Sequence, residues 1–187
     1  MHSLDEPAPS TPPTQTAVIV HVPAAEALVD RHRQHMDHAA AWGVPAHLTV
    51  LYPFLPPEAV DVEALATLSA AIGSVDAFDC TFSRTRWFGS EVMWLAPDPE
   101  EPLRQLTLAV WGAFPDYPPY GGVHDGIQPH LTVAERALGG PGALEAAAAE
   151  VAVGLPFSQR VDHALLIAGS HEPRSWRTLA RLDLRGG

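Results

Sequence analysis

The pattern of apolar and polar residues divides the chain into strands and helices that alternate along most of its length. Runs rich in apolar and β-branched residues predict strands, and apolar residues three or four positions apart predict helices. The predicted strands cover residues 16–22, 47–54, 78–88, 92–96, 130–135, 157–168 and 176–184, and the predicted helices cover 23–41, 58–72, 99–114 and 142–153. A Pro-, Ser- and Thr-rich segment precedes them, so we expect a disordered tail over 1–14 and one domain over 15–187.

The tetrapeptide His-Leu-Thr-Val occurs twice, at residues 47–50 and 130–133, at the start of a predicted strand each time. Successive side chains of a strand point to opposite faces. His47 and Thr49 are therefore expected on one face of their strand, and His130 and Thr132 on one face of theirs. Each copy supplies an imidazole that can exchange a proton and a hydroxyl that can donate a hydrogen bond.

The order of the predicted elements repeats together with the motif. A strand, a helix, the motif strand, a helix and two strands in the first half are partly echoed in the second half, and an internal duplication explains this. We therefore predict an α+β, bilobal fold with pseudo-twofold symmetry, in which two antiparallel sheets flank a central cleft and carry their helices on the outside. With one motif strand in each sheet, two histidines and two hydroxyls meet in the cleft, as phosphodiester cleavage without a metal requires.

Composition and charge restrict the partners. The formal net charge is −11 and all 11 basic residues are arginine, so we expect no duplex nucleic acid bound over a broad surface. A small nucleotide or a short RNA is more compatible with a few local arginines. The single cysteine, Cys80, allows no internal disulfide. The chain shows neither a secretory signal at its start nor an apolar run long enough to span a bilayer, which predicts a cytoplasmic protein without membrane contact. We further expect a monomer.

Paired His-x-Thr-x motifs about 80 residues apart, in a chain of this size and class, resemble the 2H phosphoesterase superfamily. Residues 45–57 (PAHLTVLYPFLPP) and 94–97 (WLAP) also look like its bacterial 2′-5′ RNA ligase-like branch. The resemblance implies that His47 and His130 are catalytic and that Thr49 and Thr132 bind phosphate. It further implies cleavage of a 2′,3′-cyclic phosphate or a related small phosphodiester, or the making and breaking of a 2′-5′ linkage, with no cofactor.

Two further residues are candidates for substrate binding. Some members of the superfamily have an arginine shortly after the second motif, and here Arg136 lies six residues past His130. Even spacing places it on the His130 face if the strand stays regular. Tyr120 lies in the long loop before the second motif, where it either stacks on a nucleobase or packs on the surface as a turn residue.

Two other classes of function remain open at the level of sequence. A nucleotide-binding module would keep the cleft but have little or no turnover. A metallohydrolase would use His32, His35 and His38 on the first predicted helix, although spacings of three and six spread the rings over about 120° of the helix, whereas zinc-binding pairs are more often four apart.

Overall fold

The computed structural model of the chain describes residues 11–123, 126–140 and 142–187. Most of the predicted tail, and His124 in the loop before the second motif, lie outside these residues. The end of the tail is described, and there the Thr14 N–H donates to the Gly169 carbonyl at 2.9 Å.

Strands and helices alternate in the order β1-α1-α2-β2-α3-β3-β4-α4-β5-α5-α6-β6-β7-β8. The strands are β1 Gln15–His21, β2 His47–Leu51, β3 Phe78–Phe88, β4 Val92–Asp98, β5 Leu131–Glu135, β6 Phe157–Val161, β7 His163–Gly169 and β8 Arg177–Asp183. The α-helices are α1 Pro23–Met36, α2 His38–Ala41, α3 Val62–Ile72, α4 Glu101–Ala113, α5 Arg136–Gly139 and α6 Ala143–Val153. None of the helices in the described ranges is long and apolar enough to cross a membrane.

The strands form two four-stranded antiparallel sheets, which confirms the predicted α+β class. The first sheet has the order β2-β1-β7-β8 and the second has the order β5-β4-β3-β6. A motif strand therefore lies at the edge of each sheet. Its neighbour in the sheet is the preceding strand of the chain, which is β1 for β2 and β4 for β5. β3 follows the first motif strand but lies in the second sheet, and β7 follows the second motif strand but lies in the first. The two halves of the chain thus exchange a pair of strands, because β4 accompanies β3 and β8 accompanies β7.

Alternation within the motif strands separates the core from the cleft. Leu48 and Val50 of β2 and Leu131 and Val133 of β5 are buried in the main hydrophobic core. Helix α4 packs against β2 and α1 packs against β5, so helices cover this face of each motif strand. Burial of a leucine or valine contributes roughly 1.5–3 kcal/mol. Burial of these side chains therefore determines that the opposite face of each motif strand, which carries the histidine and the threonine, is turned away from the helices.

The predicted helix over 23–41 is interrupted at Asp37, which has extended backbone dihedrals (φ −137°, ψ 117°). The Asp37 carboxylate accepts hydrogen bonds from Arg33 Nε at 2.8 Å and from the Ala39 N–H at 2.9 Å. It therefore caps a new short helix, α2, which starts at His38.

The predicted strand over 157–168 was wrong as a single element. The chain leaves the second sheet at the end of β6 and enters the first sheet as β7, and Asp162 lies between them. The Asp162 carbonyl accepts from the Leu184 N–H at 2.8 Å, beyond the end of β8. A continuous apolar run cannot distinguish one long strand from two short strands in different sheets.

A cleft between the two motif strands

His47 and Thr49, from the edge strand β2, line a cavity of about 490 Å³. Thr132 and Glu135 reach the same cavity from β5, in the other sheet. The rest of its wall is mostly apolar and aromatic, and includes Ala17, Ile19, Trp42, Val44, Tyr52, Ile167 and Trp176.

His130 lines an adjoining cavity of about 550 Å³, together with Phe88, Tyr120 and Gln128. Thr132 and Glu135 line this cavity too. Since the two cavities share these residues, they lie side by side, and together they are called the cleft below. The structure thus brings His47, Thr49, His130 and Thr132 to one cleft.

The two histidines are held in the same way. The Nδ1–H of His47 donates to the Pro45 carbonyl at 2.8 Å, and the Nδ1–H of His130 donates to the Gln128 carbonyl at 2.7 Å. Each acceptor lies two residues before its histidine, and a carbonyl can only accept. Both rings therefore carry a proton on Nδ1, so that a proton exchanged with a substrate passes through Nε2.

The two motif strands also share a bulge directly after the threonine. The pairing shifts between Val18 and Ile19 of β1, where one extra residue of β2, Val50, is inserted. The corresponding insertion in β5 is Val133. A bulge reverses the alternation of side chains. Two consecutive buried residues follow each threonine, and the next residue returns to the cleft: Tyr52 in one half and Glu135 in the other.

The surroundings of His47 disfavour its protonated form. Desolvation by burial, followed by the charge of Arg33, lowers its pKa to about 4, against smaller opposing effects of the Pro45 hydrogen bond and Asp37. The smallest effect is that of a charge on His130, which also lowers the pKa of His47. His47 is therefore neutral at pH 7.

A buried ion pair lies behind His47. Arg33 and Asp37 pair at 2.8 Å, with only 2% and 3% of their side chains exposed. Arg33 also donates to the Val44 carbonyl at 3.2 Å. Asp37 lines the cavity beside His47. The ion pair therefore holds a charged carboxylate and a charged guanidinium at fixed positions near the imidazole ring. Removal of one partner from a buried pair of this kind typically costs about 3–5 kcal/mol of stability.

Aromatic rings surround His130 instead. Phe88 meets the imidazole edge-on at 4.9 Å between ring centroids, and Trp94 lies at 5.9 Å. Tyr120 stacks on it at 6.2 Å with an interplanar angle of 23°. The Tyr120 N–H donates to the Tyr52 carbonyl at 2.8 Å, which fixes the loop to the end of β2. Burial raises the pKa of Tyr120 to about 12, so its phenol stays neutral.

Arg136 does not line the cleft, contrary to the expectation from even spacing. Its Nε donates to the Ser90 carbonyl at 2.6 Å, and its guanidinium pairs with Glu145 at 2.8 Å. The spacing argument fails for two reasons: the bulge at Val133 reverses the alternation, and β5 ends at Glu135.

Glu135 occupies the cleft in place of the expected arginine and was not singled out from the sequence. Its carboxylate accepts from the His38 backbone N–H at 3.2 Å and pairs with His38 Nδ1 at 2.9 Å. The signal that was available is the apolar pair after each threonine, Val50-Leu51 and Val133-Ala134. Two adjacent apolar residues within an otherwise alternating strand indicate a bulge.

The histidines of α1 and α2 have separate surroundings. His32 lies beside Glu150 at 3.4 Å, while His38 pairs with Glu135. Within the described ranges, no group of three His, Cys, Asp or Glu residues is placed to hold a metal ion.

Solved structures with the same fold extend over nearly the whole chain. LigT from E. coli, complexed with NADP+, is 21% identical with a TM-score of 0.56, and the match covers 94% of this chain and 99% of that one. TT0787 from Thermus thermophilus is 18% identical with a TM-score of 0.63, covering 91% and 98%. A protein described as a phosphoesterase is 21% identical with a TM-score of 0.55, covering 93% and 99%.

No curated protein gives a significant sequence match. A family model does match: the model of the 2′-5′ RNA ligase superfamily aligns with residues 20–172, which contain both motif strands and the whole cleft-lining part of the second sheet. This match spans well over half of the chain and agrees with the fold and with the paired motifs, so the chain belongs to the 2′-5′ RNA ligase superfamily, a group of 2H phosphoesterases.

Proposed function

We propose that the cleft is the active site of a metal-independent phosphodiesterase, which hydrolyses 2′,3′-cyclic phosphates or related small nucleotide phosphodiesters. The observation that carries this proposal is the pair of histidines in one cleft, with the same tautomer and with a threonine beside each. Membership in a superfamily of phosphoesterases supports the same reaction class.

In this proposal His47 is the general base and His130 is the general acid. The low pKa of His47 keeps its Nε2 unprotonated at pH 7, so this nitrogen takes a proton from the attacking water. His130, in its protonated form, gives a proton to the ribose oxygen that leaves phosphorus. One P–O bond forms to water and one breaks to the ribose, so a cyclic diester becomes a monoester.

Thr49 and Thr132 act on the phosphate itself. Their side chains line the cleft from opposite sheets, each two residues after its histidine. Their hydroxyls donate to the non-bridging oxygens as charge builds in the transition state. A 2′-hydroxyl as nucleophile or leaving group would let the same residues form or cleave a 2′-5′ linkage.

The proposed substrate is a small nucleotide or a short RNA. Structures of E. coli LigT hold 3′-AMP, ATP or NADP+, which are small nucleotides. In this chain the apolar wall beside His47 and the rings beside His130 offer surfaces for a base on either side of the phosphate. Tyr120 is the candidate base platform, because its ring lines the cavity next to His130.

The proposal is tested by a panel of 2′,3′-cyclic nucleotides and 2′-5′- and 3′-5′-linked dinucleotides, incubated with the protein in excess EDTA, with product masses recorded. We expect conversion of at least one cyclic or 2′-5′-linked diester to a monoester, at a rate that EDTA leaves unchanged. Activity lost to EDTA and restored by zinc or manganese would contradict metal independence. Tight nucleotide binding without turnover would indicate a binding module instead.

A further inference from the structure

Glu135 lies at the junction of the two cavities and lines both of them. Its side chain is 27% exposed, and both oxygens of its carboxylate are hydrogen-bonded to His38, one to the backbone N–H and one to Nδ1 of the ring. A carboxylate offers about four lone-pair positions, and the two bonds from His38 occupy one on each oxygen. The remaining positions can accept a hydrogen bond from a ligand in the cleft.

The charges around Glu135 are unusual for a site that takes a phosphate. No arginine is among the described residues that line either cavity. Arg33 pairs with Asp37 behind His47, and Arg136 pairs with Glu145 away from the cleft. His47 is neutral at pH 7. An anion in this cleft therefore meets no arginine among the described residues of the cavity walls. In the proposed mechanism it is bound by hydrogen bonds and by protonated His130, with the Glu135–His38 pair close by.

Such a site discriminates by charge. A phosphodiester carries one negative charge, whereas a phosphomonoester carries nearly two at pH 7, because its second pKa is about 6. The second charge adds repulsion from Glu135, and none of the described residues that line the cavities is an arginine that would offset it. The equivalent position in the other half is the neutral Tyr52, so the carboxylate is a feature of one half alone.

We propose that Glu135 is a specificity-determining residue, which selects phosphodiesters over phosphomonoesters and accepts a hydrogen bond from a hydroxyl or amino group of the bound nucleotide. This inference rests on the function proposed above and deepens it. Hydrolysis turns a monoanionic diester into a dianionic monoester, so the same carboxylate favours release of the product.

The experiment compares Glu135→Gln with the wild-type protein and with Glu145→Gln, a control that removes a carboxylate outside the cleft. Dissociation constants for 2′,3′-cyclic AMP and for 3′-AMP are measured at pH 7.5 by calorimetry, with His47→Ala added to each protein compared so that the cyclic ligand is not hydrolysed during the titration. The quantity of interest is the ratio of the two constants, because a general loosening of the cleft weakens both ligands together. We expect Glu135→Gln to shift this ratio about tenfold in favour of 3′-AMP, and Glu145→Gln to leave it unchanged.

A ratio that stays the same in Glu135→Gln, or affinities that fall equally for both ligands, would overturn the inference. The function proposed above fails separately, if the wild-type protein binds both ligands but hydrolyses no diester of the panel. If the wild-type protein binds neither ligand, both proposals fall. Product inhibition gives a second readout: 3′-AMP should inhibit Glu135→Gln about tenfold more strongly than it inhibits the wild-type protein.

Discussion

The His47 half and the His130 half of the cleft share a motif, a tautomer and a bulge, yet their surroundings differ. His47 is backed by the buried Arg33–Asp37 pair and faces an apolar wall. His130 is enclosed by three aromatic rings and lies beside a cavity that Glu135 lines. The duplicated tetrapeptide therefore fixes the geometry of the two rings, while unrelated residues elsewhere in the chain make one ring differ chemically from the other.

This difference matters because acid–base catalysis needs one neutral and one protonated imidazole at the same pH. Two rings in identical surroundings would have the same affinity for a proton, and each would be in its required state only part of the time. In the proposed mechanism, the residues that hold His47 neutral let the duplicated motif serve two roles.

The largest expected effect comes from removal of either histidine. We expect His47→Ala and His130→Ala each to lower kcat/KM by roughly 10²–10⁴-fold on the substrate found in the panel, as is usual for a lost general acid or base. Circular dichroism and thermal melting check that the fold persists. His35→Ala, at an exposed position of α1 that lines neither cavity, is the control, and near-normal rates in both cleft mutants would exclude their catalytic role.

Removal of a threonine hydroxyl should cost less. Thr49→Val and Thr132→Val keep the shape of the side chain, and we expect each to lower kcat by roughly 10–10³-fold, as for a single lost oxyanion donor. Thr49→Ser and Thr132→Ser retain the hydroxyl and should keep most of the activity. If the Ser and Val variants behaved alike, the hydroxyls would have no part in catalysis.

A change confined to the His47 half should have a smaller effect. A Cβ at Gly169 would lie 2.4 Å from Cγ of Trp176, whose ring lines the cavity beside His47. Gly169→Ala must therefore displace this wall, and we expect KM to rise about 3–10-fold with a smaller change in kcat. Gly112→Ala, where nothing lies within 4 Å of the new Cβ, is the control. An unchanged KM would mean that substrate does not contact this wall.

The smallest effect concerns salt. Because no arginine lines the cleft among the described residues, we expect contact with about one or two phosphates, and log affinity should fall with log salt at a correspondingly shallow slope. Titration of a 2′,3′-cyclic mononucleotide and of a long RNA at several salt concentrations measures this slope. A slope that corresponds to six or more phosphates, together with a preference for long RNA, would reveal a basic surface outside the cleft.

Much of this molecule could be predicted from its sequence, because its core follows simple alternation. Strand β3 has the predicted limits of residues 78–88, and both motif strands lie where the repeat places them. The apolar residues Leu48 and Leu131 fix the face of each strand. Because these leucines point into the core, His47 and His130 lie on the opposite face of their strands, which lines the cleft.

The remainder depends on contacts that a single sequence does not display. The contact between Glu135 and His38 joins residues 97 positions apart, and the Arg33–Asp37 pair, although local in sequence, lies near His47 only in the folded chain. The misplacement of Arg136 has a local cause, since an alternation count fails after a bulge. The pairs of adjacent apolar residues in both motif strands were the signal in the sequence that indicated the bulge.

The pH dependence of kcat/KM, measured in excess EDTA on the best substrate of the panel, tests the two-histidine account most directly. The pKa of His47 is lowered to about 4, so His47 stays neutral, and active as a base, from neutral pH down to about pH 5. We therefore predict a bell-shaped profile whose acid limb lies near pH 4 and whose alkaline limb follows deprotonation of His130. An acid limb near 6.5, where an unperturbed histidine titrates, or a profile without an alkaline limb, would contradict the assignment of His47 as base and His130 as acid.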